Sequence, residues 1–280
     1  MDDRTAALAD VVRRLPSEEL EVHSPVGVRV YRGVSLFNYA VAAGLISADG
    51  GAAIERGYFV VSAGDGGRAA LSVAELAPMV TDRRVLLAVE QDGEPIRIGL
   101  RLVVPREGSR SLVGVTEIAF REASPSYLER AGGVGGSLNG QRIMIGGIIP
   151  RPGLHDLAAT VEPIEVETVT ANSHGQQVPP RRYTGIPIHR LLGEAGMYSM
   201  TDGEDLHQKV VVATGADGHV AVIAAGEFGP QSMKNPAIAA TARDDSPLAE
   251  AEGPIRLLTP DDRIAARWVR HLVSLELREA

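Results

Sequence analysis

The chain has 280 residues, 44% of them hydrophobic and 23% charged, with 36 acidic against 28 basic side chains and a net charge of −8. That balance suits one large or two ordinary globular domains with a real core, and it leaves no positive field for a nucleic-acid backbone or an anionic membrane surface. Cysteine is absent, which excludes disulfides, thiolate catalysis, zinc–thiolate sites and iron–sulfur clusters.

Met1 to Pro16 has no uninterrupted apolar stretch, so no secretory signal is expected there. No run approaches the roughly 18 apolar residues of a membrane span, and the expectation is a cytoplasmic protein. Leu8, Val11, Val12 and Leu15 form a helical stripe that Pro16 ends. Leu20 to His23 and Val28 to Tyr31 read as strands on either side of a Pro25–Gly27 turn. Leu36 to Ala43 is a short apolar helix stopped by Gly44, the residue type that supplies a left-handed cap. Tyr58 to Ser62 is a strand that Asp65-Gly66 turns into a hairpin, and Ser72-Val-Ala-Glu75 has the form of a capping box. Val85 to Val89 and Leu100 to Val104 are buried strands around an Asp92-Gly93-Glu94-Pro95 turn. The same order returns with Leu157 to Val161, Ile164 to Thr170, Ile186 to Ala195, Val210 to Thr214 and Val220 to Ile223. Ile255 to Leu258, a helix across Ile264 to Val269 and the strand Leu272 to Leu277 close the chain. Short strands interleaved with short helices argue an α+β fold.

An internal repeat orders these elements. At an offset of 152, Tyr31-Arg-Gly33-Val-Ser-Leu36 falls on Tyr183-Thr-Gly185-Ile-Pro-Ile188, and Val60, Asp65, Gly66, Ala69 and Glu75 fall on Val212, Asp217, Gly218, Ala221 and Glu227. Over residues 31–46 and 59–76, nine of 34 positions are identical, where chance gives roughly two or three. After a shift to 155, Arg101-Leu-Val-Val-Pro105 matches Arg256-Leu-Leu-Thr-Pro260. A period this long marks a duplicated domain rather than a solenoid. The expected organisation is a first unit over 1–120, a Gly-rich linker over 121–146 and a second unit over 147–280.

Three ordered motifs of the second unit resemble the molybdopterin-binding domain of the sulfite oxidase family. Tyr183-Thr-Gly-Ile-Pro-Ile-His-Arg-Leu-Leu-Gly-Glu-Ala-Gly196 is similar to that family's G-x-P-L helix, and Val211-Val-Ala-Thr-Gly-Ala-Asp-Gly218 to its strand ending in an Asp-Gly turn. Gly253-Pro-Ile-Arg-Leu-Leu-Thr-Pro-Asp-Asp262, Arg267-Trp-Val-Arg270 and Leu275-Glu-Leu277 are similar to its closing segment. The resemblance implies two tandem sulfite-oxidase-like α+β units. In the family's catalytic members a cysteine ahead of the G-x-P-L helix binds molybdenum. The comparable stretches here, Val169-Thr-Ala-Asn-Ser-His-Gly175 and Val22-His-Ser-Pro-Val-Gly27, contain no sulfur, and no other side chain reproduces a soft thiolate bond. The resemblance therefore points to the short, cysteine-free, pterin-binding members.

Seven histidines occur, none at the spacing of a zinc motif, and no metal site is assigned. His174 lies in the loop where the family's cysteine would be, His23 near the corresponding place in the first unit, and His219 beside the Asp217-Gly218 turn. An imidazole titrating near neutrality suits acid–base work there. Arg181, Arg182 and Arg32 are candidate ligand contacts because guanidinium forks suit the polar edge of a heterocycle. Asn172, Ser173 and Lys234 complete the ligand-binding set. Glu75 and Glu227 coincide in the repeat, and Glu75 is accounted for by its capping box.

The leading expectation is a molybdenum-free protein that binds a small planar heterocycle of pterin type in a cleft between the units. One alternative is a cofactor-independent lyase, cyclase or hydrolase using a loop histidine. The other is a molybdopterin-dependent oxidoreductase without the cysteine ligand. Expected partners are a small-molecule ligand and, as a homo-oligomer, a second copy of the chain; nucleic acid and membrane are not expected.

Overall fold

Helix α1 (Asp3–Arg14) turns Ala9 and Val12 into the core and stops ahead of Pro16, as its apolar spacing predicts. It opens the computed structural model of the chain, which describes residues 3–24, 27–125, 141–157, 161–168, 179–199, 205–229, 232 and 234–280. Strands β1 (Glu18–Ser24) and β2 (Gly27–Ser35) pair antiparallel and lead into α2 (Leu36–Ala42), capped by the Ser35 hydroxyl. After α3 (Ala53–Arg56), β3 (Gly57–Ala63) and β4 (Arg68–Ser72) form the expected hairpin, and α4 (Val73–Leu76) follows it directly. Strands β5 (Leu86–Gln91), β6 (Glu94–Pro95), β7 (Arg101–Val103) and β8 (Leu112–Val113) extend the first sheet, in the order β1-β2-β5-β7-β8 with β6 on β5. Strand β9 (Val115–Glu122) pairs with β3 to complete a second sheet, β4-β3-β9.

The second half contributes β10 (Arg142–Gly147), β11 (Gly153–Asp156), β12 (Ile164–Thr168) and β13 (Arg181–Pro187), then α5 (Ile188–Glu194). Next come β14 (Lys209–Gly215), β15 (Val220–Ala224), the 3-10 turn Ala225–Phe228 and β16 (Ile238–Arg243). Strands β17 (Ser246–Pro247), β18 (Arg256–Leu258) and β19 (Leu272–Glu279) complete it. The sheets are β11-β10-β19-β14-β15 and β12-β13-β16-β17, with β18 on β16. Short helices distributed among these sheets make the fold α+β.

Three places differ from the sequence expectation. Residues 142–146, read as linker, belong to β10, which pairs parallel with β19. The expected helix across Ile264–Val269 is a single 3-10 turn, Ala265–Arg267, because Val269 is extended and bridges Leu257. Of the strand expected over Leu157–Val161, Leu157 is buried and residues 158–160 lie outside the described set.

Corresponding strands of the halves pair in corresponding registers. The β2–β5 ladder shifts at Arg32/Gly33, and the β13–β16 ladder shifts at Thr184/Gly185, 152 residues on. A Cβ on Gly33 would lie 2.1 Å from the Leu87 carbonyl oxygen, and one on Gly185 2.4 Å from that of Ala239. Only glycine admits so close a backbone approach. Asp92 and Asp244 also match: each takes positive φ and accepts from the backbone N–H of Val30 or Arg182. Each half has its own apolar core. A further cluster joins them, with Ala70 and Ala123 of the first half packed on Val210, Val212, Val220 and Val222 of the second. Strand β14 is buried along its whole length, which is why its Val-Val-Val-Ala run lacks the alternation of a half-exposed strand.

Candidate functional site

The junction of the halves is polar beside that apolar cluster. Ser72 caps α4 by accepting from the Glu75 N–H (3.1 Å), and the Glu75 carboxylate accepts in return from the Ser72 N–H (3.0 Å). This capping box delivers a fully buried carboxylate to the junction. Arg110, also fully buried, grips both Glu75 oxygens (2.8 and 3.0 Å) and donates from Nε to Glu107 (2.5 Å). Arg83 donates to Glu75 (2.8 Å) and Glu107 (3.3 Å), and reaches the Ser232 carbonyl of the second half.

Glu227 occupies the corresponding place in the second half. It accepts from the Ala224 N–H (2.9 Å), from Arg267 Nη1 (2.7 Å) and from the Ser72 hydroxyl of the first half (2.7 Å). Arg267 gives its fork to Asp262 (2.9 and 2.7 Å), whose carboxylate also accepts from the Thr259 hydroxyl (2.7 Å). The interlock is tight: a Cβ on Gly226 would lie 2.5 Å from Cδ of Arg110.

Burial pushes the Glu75 carboxyl up, Arg110 and Arg83 pull it down and Glu227 pushes it up; it ends above the ordinary glutamate value. Burial pushes Glu227 up as well, but Arg267, Arg83 and the hydrogen bonds from Arg267 and Ser72 outweigh it and hold it below. Burial opposes the charge on Arg110 and Arg267, and the carboxylates beside each raise both guanidinium pKa values above the ordinary range.

Above these groups opens a cleft of about 670 Å³. Glu75, Glu227 and Arg267 form its buried floor, and Asp82, Arg106, Lys234 and Asp261 its exposed rim. Asp261 accepts from the backbone N–H groups of Lys234 (2.6 Å) and Asn235 (2.9 Å). Arg83 and Arg267 are committed to carboxylates, whereas the Arg106 and Lys234 cations enter no ion pair among the described residues. A second cavity of about 560 Å³, which shares Glu227 with this cleft, is lined by His189, Tyr198, His207 and Phe228. Burial, with Arg190 adjacent, holds His189 below its ordinary value.

Among solved structures, the sulfane dehydrogenase SoxCD from Paracoccus pantotrophus resembles part of the chain. The match has 19% identity and a TM-score of 0.40, and covers 51% of this chain and 40% of that one. It is a distant likeness of fold. No family model and no curated protein matches the chain.

The sequence-derived candidates are not gathered in one place. Lys234 lines the junction cleft. His23 stands 75% exposed on β1, with Nε2 3.9 Å from Glu21, and lines a separate cavity of the first half. His219 donates its backbone N–H to Asp217 (2.9 Å) and sets Nδ1 3.7 Å from Glu55 of α3. Arg32 pairs with Glu90, Arg181 with Asp244 and Arg182 with Asp245, all on exposed surface. Asn172, Ser173 and His174 lie outside the described residues. The cleft's floor was not among the sequence candidates, although the Glu75/Glu227 coincidence was its visible trace. Arg110 and Arg267 escape that comparison because they fall at a spacing of 157.

The donor set also bears on the group that the resemblance implies. Without a cysteine anywhere in the chain, these residues do not fit molybdenum held by a protein thiolate. The cleft offers hydrogen-bond donors and acceptors side by side, Arg106 and Lys234 with Asp82 and Asp261.

Proposed function

We propose that the chain is a molybdenum-free binding protein for a small, planar, polar heterocycle of pterin type. In this reading it consists of two sulfite-oxidase-like units related by tandem duplication, the first ending with β9 and the second beginning at β10. The matched registers, bulges and glycines of the two halves support the duplication. The observation that carries the binding function is the junction cleft, where cations and carboxylates from both halves meet around about 670 Å³. A 2-amino-4-oxo ring edge presents adjacent N–H donors and a carbonyl acceptor. Asp82 and Asp261 at the rim are acceptors for such donors, and Arg106 and Lys234 are donors for the carbonyl.

Titration of the protein into unsubstituted pterin, followed by the pterin's blue fluorescence, tests this. Saturable quenching is expected, weakened about tenfold in Lys234→Ala and in Arg106→Ala, the loss expected for one charge-assisted hydrogen bond. No quenching with protein at about 100 µM, or variants that bind as well as the parent, would overturn the assignment.

A further inference from the structure

The two halves treat one matched arginine differently, and the difference opens a second site. In the second half, Arg256 begins β18 and lies over the Trp268 ring at 4.9 Å. Its charge is met by Glu252, which bridges it to Arg243 of β16, the Arg243–Glu252 contact being 2.6 Å. In the first half, Arg101 begins β7 and lies over the Tyr31 ring at 5.4 Å. Gln91 of β5 stands where β16 has Arg243, and its carbonyl oxygen accepts from Arg101 Nη1 at 3.3 Å. No carboxylate forms an ion pair with Arg101 among the described residues.

The missing acid has a backbone cause. Five residues separate β6 from β7, whereas eight separate β17 from β18. The longer connection carries the 3-10 turn Glu250–Glu252, which supplies the bridging carboxylate. The shorter one has no such turn.

Beside Arg101 and Gln91 the first half has a cavity of about 660 Å³. Arg101, Gln91 and Tyr31 line it, together with Arg29, Arg106 and His23. Arg29 is paired with Asp92 at 2.8 Å, and Arg106, which enters no ion pair among the described residues, is held at φ +65, a conformation rare for a long side chain. Glu107, the one acid in the lining among the described residues, is committed to Arg83, Arg110 and Ser232. Positive charge therefore exceeds negative around this space. A half-buried guanidinium over an aromatic ring, without a counter-charge, favours an incoming planar anion able to accept from its fork. Val22 and Val103 give the same cavity an apolar wall.

We propose that this cavity binds a small organic carboxylate, whose anionic group takes beside Arg101 the role that Glu252 plays beside Arg256. The assignment does not depend on pterin binding in the junction cleft.

Calorimetric titration of the full chain with benzoate, and separately with inorganic phosphate, at constant ionic strength tests it. Benzoate is expected to bind saturably with a dissociation constant of about 1 mM or below, and more tightly than phosphate. Gln91→Glu supplies an internal carboxylate beside Arg101 and is expected to weaken benzoate at least tenfold without lowering the melting temperature. Arg101→Gln is expected to abolish binding. Absence of benzoate binding at about 10 mM, tighter binding of phosphate, or a Gln91→Glu protein that binds benzoate like the parent would each overturn the proposal. Should Arg101→Gln fail to fold, Gln91→Glu alone decides.

Discussion

Among the described residues, Glu75 takes its donors from its own half: the Ser72 N–H, Arg110 and Arg83. Glu227, at the corresponding turn, borrows the Ser72 hydroxyl from the other half, because Ala224 stands where a capping serine would be. The two arginines differ in the same way. Arg110 spends its fork on Glu75, while Arg267 spends its fork on Asp262 and gives Glu227 one contact. One architecture thus holds two buried acids, one self-sufficient and one dependent on its neighbour. The lesson is that, of two matched turns, one can be completed from within its own half while the other is completed only across the junction.

Removing the arginines breaks that comparison most strongly. Arg267→Met leaves Glu227 and Asp262 buried without a cation in direct contact, and is expected to cost about 4 kcal/mol in urea unfolding. Arg110→Met should cost less, about 3 kcal/mol, because Arg83 still reaches both Glu75 and Glu107. Equal losses would show that Arg83 does not compensate.

The matched glycines come next. Gly33→Ala and Gly185→Ala each drive a methyl group into a carbonyl oxygen of the facing strand, for an expected loss of about 2–3 kcal/mol apiece. A melting temperature unchanged in either would mean that its ladder opens without penalty. Ser72→Ala removes both the α4 cap and the bond to Glu227, and should cost about 2 kcal/mol. That loss should shrink in a Glu227→Gln background, a coupling that a double-mutant cycle reads directly.

The smallest effect is in pH, because the two glutamates oppose each other. Glu227 is held below the ordinary value near 4.5, so its contribution is present above that value and is lost as pH falls through the lowered one. Glu75 is held above 4.5, so its contribution is present below that value and is lost as pH rises through the raised one. Glu227→Gln removes the acid limb and also the charge that helps push Glu75 up, so the decline from about 4.5 toward neutrality should shrink as well. Glu75→Gln should leave one that loses stability mainly on acidification below about 4.5. Unfolding free energies across that range in both variants separate the two limbs.

Much of this fold is legible in the sequence. Apolar spacing marked α1, Asp-Gly turns marked the hairpins, and the Ser72–Glu75 capping box formed as its residues predict. Strands β9 and β10 were not recognised: Val115–Glu122 is mostly half-exposed and mixed in character, and Arg142–Gly147 adjoins a glycine-rich stretch. The site was less legible than the fold. Local signals explain a glutamate at an N3 position but do not say which arginine meets it, and Arg110 lies 35 residues from Glu75 in sequence. A cleft does lie between the halves, as expected, but residue type alone does not reveal that Arg32, Arg181 and Arg182 are paired with surface carboxylates away from it.

Strand β19 lies between β10 and β14, parallel to one and antiparallel to the other. During synthesis, both neighbours leave the ribosome before the segment that must insert between them. Until it arrives, each keeps an exposed edge, and the apolar face of the second half stays open to misassociation. The first half completes its sheets with β9 and faces no such wait. Vectorial folding of this molecule should therefore proceed as an early-finished lobe serving as a template, with the second lobe closing late around its middle strand.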